Sequence, residues 1–389
     1  MRKIQFIDLK TQQQKVLSAI ELAIQRVHEH GMYILGPEVE MLEKELAKFC
    51  NVKHAIVCSN GTDALALGLR VKNVKPGHAI FVPSFTFAAT AEVVDWMGAT
   101  PIFIDSLPDT YNMDPKSLEN GIQTAIKLGL KPCGIIPVDL FGQPADYDSI
   151  QSIANQYQLW VMADAAQSYG ATYKKQDVGS IGDIATTSFF PAKPLGCYGD
   201  GGAIFTNDDT FAKIIKSIRV HGQGEDKYDN VRIGMNGRLD TIQAAVLLEK
   251  LKIFPEEIIK RNEIAKFYTE GLKNVVQTPH VMNDTTSVWA QYTICLPKHI
   301  NRASFMEDLK NLDIPTVIYY VKPLHQQKAY SHYPTASQKN LPVCEHLSER
   351  VVSLPMNPYL DKEQLTYIVD SIENLVNHSI KIPVLNLQN

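Results

Sequence analysis

The chain has 389 residues, enough for a large domain plus a smaller one, with an ordinary globular balance of 45% hydrophobic and 21% charged residues. Its formal net charge is 38 − 42 = −4 and no run of Lys or Arg stands out, so neither nucleic acid nor an anionic membrane is an expected partner. The six cysteines form no CxxC pair and no His stands at zinc-finger spacing, no apolar run approaches a membrane span, and the opening "MRKIQFIDLKTQQQK" lacks the apolar centre of a signal peptide; the reading is a metal-free cytoplasmic protein with buried free thiols.

Taken in chain order, "GPEVEMLEKELAKF" places Val39, Leu42, Leu46 and Phe49 on one helical face. "HAIVC" (His54–Cys58) reads as a strand, and "SNGTDALALGLR" as a loop entering a helix. "AIFVP" (Ala79–Pro83) precedes a helix around Ala88–Met97. "PIFID" (Pro101–Asp105) precedes a helix starting near Asp114–Pro115. "CGIIPVDL" (Cys133–Leu140) precedes a helix near Asp148–Tyr157. "LWVMAD" (Leu159–Asp164), "IATTSF" (Ile184–Phe189) and "GAIFT" (Gly202–Thr206) are further strands. Continuous apolar strands separated by helices predict a mostly parallel sheet covered on both faces. A long helix is expected from Leu239 to about Leu272, bent near Pro255. It is followed by strand patterns in "SVWAQYTICL" and "IPTVIYY" and by a terminal helix near Lys362–Val376. The division expected is a large α/β domain over residues 1–250 and a smaller α+β domain over 251–389.

One stretch raises a chemical question. In "SFFPAKPLGCYGDGGAIFTND" the only cation is Lys193, framed by Pro191 and Pro194. Pro194 biases Lys193 toward an extended conformation, so it lies on a loop just past a buried strand. Ligands of open α/β sheets bind outside the carboxyl ends of strands. A Schiff-base lysine fits that place, although a solvated loop lysine is the commoner explanation of any single lysine. Asp164 ends a buried strand, where a carboxylate needs a partner such as the pyridine nitrogen of pyridoxal phosphate; a helix cap is the plainer alternative. Gly61 and Thr62 in "SNGTDAL" stand where a strand enters a helix, a place suited to a phosphate, although helix capping by Thr62 or Asp63 explains the stretch equally well; Ser188 lies five residues before Lys193.

The set "NGTDAL", "ADAAQSYGA", "SFFPAKPLGCYGDGGAIFT" and "GMNGRLDTIQAAVL" resembles the DegT/DnrJ/EryC1/StrS family of pyridoxal-phosphate sugar aminotransferases. The similarity runs from "FIDLK" to "SLPMNPYLD". It implies the aspartate-aminotransferase fold (type I), α/β with a mostly parallel mixed sheet. It also implies pyridoxal 5′-phosphate linked to Lys193, with Asp164 at the pyridine nitrogen, Gln167 near the ring and its 3′-oxygen, and Phe87 stacked on the ring. Gly61, Thr62 and Ser188 would hold the phosphate. Asn236 would reach the phosphate of the other subunit's cofactor, and Arg238 would lie near the substrate end, so a homodimer with shared active sites is implied. Glutamate would donate the amino group and a nucleotide-linked keto-sugar would accept it. Within the family the chain resembles the branch that aminates C3 of a UDP-linked 3-keto-N-acetylglucosamine uronic acid, which serves bacterial O-antigens. Tyr319–Tyr320 depart from that branch, which carries His then Tyr there. Arg238, Tyr319, Tyr320 and His325 are the substrate candidates. C4 amination, dTDP-linked 3-keto-6-deoxy sugars and a non-catalytic regulator stay open. A related dehydratase branch carries His in place of the lysine, and Lys193 argues against it.

Overall fold

The computed structural model describes residues 3–337 and 340–380, with side chains to residue 378. Its frame is a seven-stranded sheet: β1 (His54–Cys58), β2 (His78–Pro83), β3 (Thr100–Ile104), β4 (Lys131–Ile135), β5 (Trp160–Asp164), β8 (Ile184–Ser188) and β9 (Gly202–Thr206). A two-residue hairpin, β6 (Thr172–Tyr173) with β7 (Gln176–Asp177), lies between β5 and β8 in the chain. The spatial order is β1-β9-β8-β5-β4-β2-β3. Only β9 runs against its neighbours; the pairs β8–β5, β5–β4, β4–β2 and β2–β3 are parallel. The mostly parallel mixed sheet of the type I fold is therefore present. Strands buried on both faces are largely apolar, as "AIFVP" and "GAIFT" are.

The helices, in order, are α1 (Leu9–His30), α2 (Pro37–Phe49), α3 (Gly61–Val71), α4 (Ala89–Trp96), α5 (Pro115–Lys127), α6 (Tyr147–Tyr157), α7 (Asp209–Ile218), α8 (Thr241–Leu272), α9 (Arg302–Asn311), α10 (Pro342–Arg350) and α11 (Lys362–Ile380). Asn60, Asp114, Asp146 and Asp208 each accept a first-turn N–H of the helix that follows, which fixes where α3, α5, α6 and α7 begin. The run "CGIIPVDL" ends as a strand at Ile135, because Pro137 has no N–H to continue the ladder.

Beyond the sheet, α8 runs as one 32-residue helix through Pro255. Residues 250 and 251 lie inside it. Its first half packs Val246 against Val16 and Ile20 of α1. Its second half sends Ile264, Tyr268 and Leu272 into a second apolar core, with Tyr292 and Ile294 of β10 (Tyr292–Cys295), Val352 and Leu354 of β11 (Val351–Leu354), and Ile368 of α11. β10 and β11 pair antiparallel. "IPTVIYY" does not form a strand. Val317 makes a single bridge to Ser353, and the chain then turns so that Tyr319 and Tyr320 face the site described next.

Candidate active site

The strands β1, β5 and β8 point the same way, so Cys58, Asp164 and Ser188 end on one edge of the sheet. That edge is where open α/β sheets bind ligands. A cavity of about 610 Å3 opens there. It is lined by Gly61 and Thr62 at the start of α3, Phe87 before α4, Asp164 and Gln167 after β5, Ser188 and Lys193 after β8, and Tyr319 and Tyr320. The structure thus gathers nine of the twelve candidates named from the sequence.

The three others lie elsewhere. His325 is buried with both ring nitrogens engaged, Nδ1 with Ser84 Oγ at 2.7 Å and Nε2 with Glu345 Oε1 at 3.1 Å. It ties α10 to the end of β2 and does not line the cavity. Asn236 is exposed and Arg238 half-buried on the segment before α8; neither lines the cavity of its own chain. Between them, the Gly237 carbonyl accepts the Ser59 N–H at 3.1 Å, so the segment sits behind the loop that enters α3. The Arg238 Nε is buried without a hydrogen-bond partner among the described residues.

Each lining group is fixed by its local structure. The Lys193 N–H donates to the Phe190 carbonyl at 2.8 Å, closing a turn between the two prolines. Its half-buried ammonium makes no hydrogen bond or ion pair among the described residues. Burial pushes the Lys193 pKa down to about 8, with Asp164 partly offsetting this. Asp164 is buried; Thr90 Oγ1 donates to its Oδ2 at 2.9 Å and the Ala166 N–H to its Oδ1 at 3.2 Å. Burial raises the Asp164 pKa, against these two donors and Lys193. Gln167 Oε1 accepts the Phe141 N–H at 2.6 Å and its Nε2 donates to Tyr320 Oη at 3.2 Å, so its amide orientation is set by the backbone.

The residues fit pyridoxal phosphate. A partnerless, deprotonation-prone lysine suits a covalent link to an aldehyde. The first amides of α3 lack intrahelical partners, as at any helix start. A Cβ on Gly61 would lie 2.7 Å from Ser188 Cβ, so glycine alone allows α3 to begin this close to Ser188. When bound, the cofactor supplies an electron sink for chemistry at an amine-bearing carbon.

Thr90, Asp63, Glu92, Asp200 and Gln291, none of them a candidate from the sequence, also line the cavity. Thr90 was within reach, one helical turn after Phe87 in "FAAT". Gln291 had no local signal, because it precedes β10, whose place is set by the second core.

The model of the DegT/DnrJ/EryC1/StrS aminotransferase family matches residues 15–373. The chain belongs to this family. Its aminotransferases use pyridoxal phosphate, and this chain is a pyridoxal-phosphate-dependent transaminase. It is 47% identical over 372 residues to the UDP-2-acetamido-2-deoxy-3-oxo-D-glucuronate aminotransferase of Pseudomonas aeruginosa, covering 95% of this chain and 100% of that one. A DegT/DnrJ/EryC1/StrS aminotransferase from Brucella abortus, solved by crystallography, superposes with a TM-score of 0.93 at 51% identity, covering 96% of this chain and 99% of that one. The NtdA protein of Bacillus subtilis, solved with bound cofactor PMP, superposes at 0.87 with 28% identity over 97% of this chain and 86% of its own.

Proposed function

We propose that this aminotransferase moves an amino group from glutamate to C3 of UDP-2-acetamido-2-deoxy-3-keto-glucuronic acid, for a bacterial surface polysaccharide. The observation that carries the reading is Lys193 and Asp164 in one cavity, at the ends of the adjacent parallel strands β8 and β5. The relative from Pseudomonas aeruginosa, similar over its entire length, supports the sugar. The overall exchange is glutamate plus ketone to 2-oxoglutarate plus amino sugar.

In this reading Lys193 would carry the cofactor, and its Nζ would take up the proton lost from the donor Cα. Asp164 would hold the ring nitrogen, Phe87 would cover the ring, and Gln167 would offer its remaining amide hydrogen to the ring oxygen. Gly61, Thr62 and Ser188 would hold the phosphate. Tyr319 and Tyr320 border the sugar, and the Tyr320 hydroxyl is held by Gln167.

The active unit is a homodimer with shared sites. Among the described lining residues four are acids (Asp63, Glu92, Asp164, Asp200) and one is a cation, Lys193. A phosphate and a substrate carboxylate need further positive charge. Arg238 lies outside its own cavity, on a segment that follows exposed Tyr228, Val231 and Ile233. A two-fold axis would deliver Asn236 and Arg238 to the partner's cavity. The reading keeps a large cofactor-binding part, residues 1–250, and a smaller part, residues 251–389, with the boundary inside α8. It places the enzyme in the cytoplasm, in keeping with six free cysteines.

The test is mass spectrometry of products from a panel of UDP- and dTDP-linked keto-sugars with glutamate. The UDP-linked 3-keto uronate should exchange its ketone oxygen for an amino group fastest. Preference for a 4-keto or 6-deoxy substrate would overturn the assignment.

A further inference from the structure

The loop that carries Lys193 is gripped from behind by α8. Gln243 and Lys250 lie seven residues apart on that helix, about two turns, and so face the same way. The Gln243 side chain takes both backbone groups of Tyr198: its Oε1 accepts the N–H at 2.8 Å and its Nε2 donates to the carbonyl at 3.4 Å. Lys250 Nζ donates to the Gly196 carbonyl and lies 5.3 Å from the centroid of the Tyr198 ring.

Lys250 is an expensive way to make that contact. It is 2% exposed and makes no ion pair among the described residues. Removing an ammonium from water without a carboxylate against it is strongly unfavourable, whereas a neutral amide would donate to the same carbonyl at much lower cost. Burial accordingly pulls the Lys250 pKa down to about 8, with Glu257 and Cys197 acting the other way. What the cation adds is reach and a charge-assisted hydrogen bond, about twice as strong as a neutral one.

The grip reaches Lys193 through a stiff stretch of chain. A Cβ on Gly196 would lie 2.5 Å from the Phe190 carbonyl oxygen and 2.6 Å from that of Pro191, so the loop folds tightly back on the turn that holds Lys193. Lys193 bonds that same Phe190 carbonyl, and Pro194 follows it. Behind the loop is a cavity of about 190 Å3 bounded by Leu9, Gln13, Pro191, Cys197, Tyr198 and Lys250. Without a tether the loop has room to settle away from the active site.

The same stripe of α8 continues to Glu257 and Arg261. Glu257 accepts from Gln12 and Tyr359, and the Arg261 guanidinium donates to the carbonyls of Trp289 at 3.0 Å and Met356 at 3.3 Å. Trp289 is two residues from Gln291, which lines the active-site cavity. One helix face therefore holds two segments that lead to cavity-lining residues.

We propose that Lys250 is a positioning residue for Lys193: a buried cationic tether from α8 that fixes the Gly196 carbonyl and, through it, the loop that presents the Lys193 amine. It touches neither cofactor nor substrate. The proposal rests on Lys193 being the attachment point.

The test compares wild type with Lys250→Met, which keeps the stem and removes the ammonium. Amide hydrogen exchange of the cofactor-free protein should rise about tenfold over residues 195–199 and stay unchanged in β5, β8 and the body of α8. Covalent capture of added pyridoxal phosphate, trapped with borohydride, should slow by a similar factor of about ten with the label still on Lys193. In the loaded enzyme kcat should fall while KM for glutamate holds. Unchanged exchange and capture in a folded Lys250→Met protein overturn the proposal. Exchange that rises equally across the sheet also does so, because Lys250 would then serve general stability. If Lys250→Met and Lys250→Gln both fail to fold, the role is structural and the proposal fails. A wild-type label on another lysine would instead refute the attachment site, leaving the exchange result on the loop intact.

Discussion

The Thr90 hydroxyl donates to Asp164 Oδ2 across 2.9 Å, from one helical turn beyond the exposed ring of Phe87. The bond favours the ionised carboxylate against the burial that raises its pKa. Thr90→Val removes the donor and keeps the shape. A hydrogen bond to a charged group contributes about 1.5–3 kcal/mol, so the half-reaction with glutamate should slow by about ten- to a hundredfold. Stopped-flow absorbance on the loaded enzyme checks this; a single-turnover rate equal to wild type would show that Thr90 only packs.

Lys193 should titrate near pH 8 in the cofactor-free protein. Burial lowers its pKa to about 8, so the neutral amine gains as pH rises through that value. Competitive acylation followed by peptide mapping should show the Lys193 rate climbing to a plateau above pH 8. Asp164 raises this pKa, so Asp164→Asn should move the plateau to lower pH. A plateau that stays put, or moves upward, would contradict the geometry in which the two groups share one cavity.

Much of this site was legible because its residues sit in short segments at strand ends. Asp164 closes "LWVMAD" and Lys193 follows "IATTSF", so reading strands was enough to place both at one sheet edge. Residues that depend on tertiary packing were not legible. The helix Leu9–His30 is masked by the polar run "TQQQK", and its buried stripe of Val16, Ile20, Ala23 and Val27 becomes clear only against α8. "IPTVIYY" is β-branched and aromatic like a strand, yet among the described residues only Val317 makes a strand bridge, to Ser353. The rest of that run turns its tyrosines to the cavity. His325 looked available in "KPLHQQ", but Ser84 and Glu345, 241 and 20 residues away in sequence, take both its nitrogens.

Asp139 should make stability fall as pH rises. It is fully buried and accepts from the Ala145 N–H, Tyr147 and Ser168, with no ion-pair partner among the described residues. Burial lifts its pKa from 3.8 to about 7. The folded state then holds a proton that the unfolded chain releases, so the Asp139 contribution is lost between about pH 4 and pH 7. Asp139→Asn should show a shallower decline than wild type over that interval in urea unfolding. Equal slopes would mean that Asp139 is ionised throughout.

Subunit complementation tests the shared site. Lys193→Ala and the double variant Asn236→Ala/Arg238→Ala should each be inactive alone. In a mixed dimer one cavity collects both defects, while the other has its lysine, asparagine and arginine intact, so activity should return after exchange of subunits. Confirmed exchange without any recovery would place Asn236 and Arg238 in their own chain's chemistry or outside it.

The most direct test of the central claim is where the cofactor attaches. The purified protein loaded with pyridoxal phosphate should be reduced with borohydride, digested and mapped by mass spectrometry. The account predicts a pyridoxyl group on Lys193, in the peptide bearing "PAKPLG", and none in Lys193→Ala. A label on Lys250 or any other lysine, or a wild type that takes no label, would contradict it.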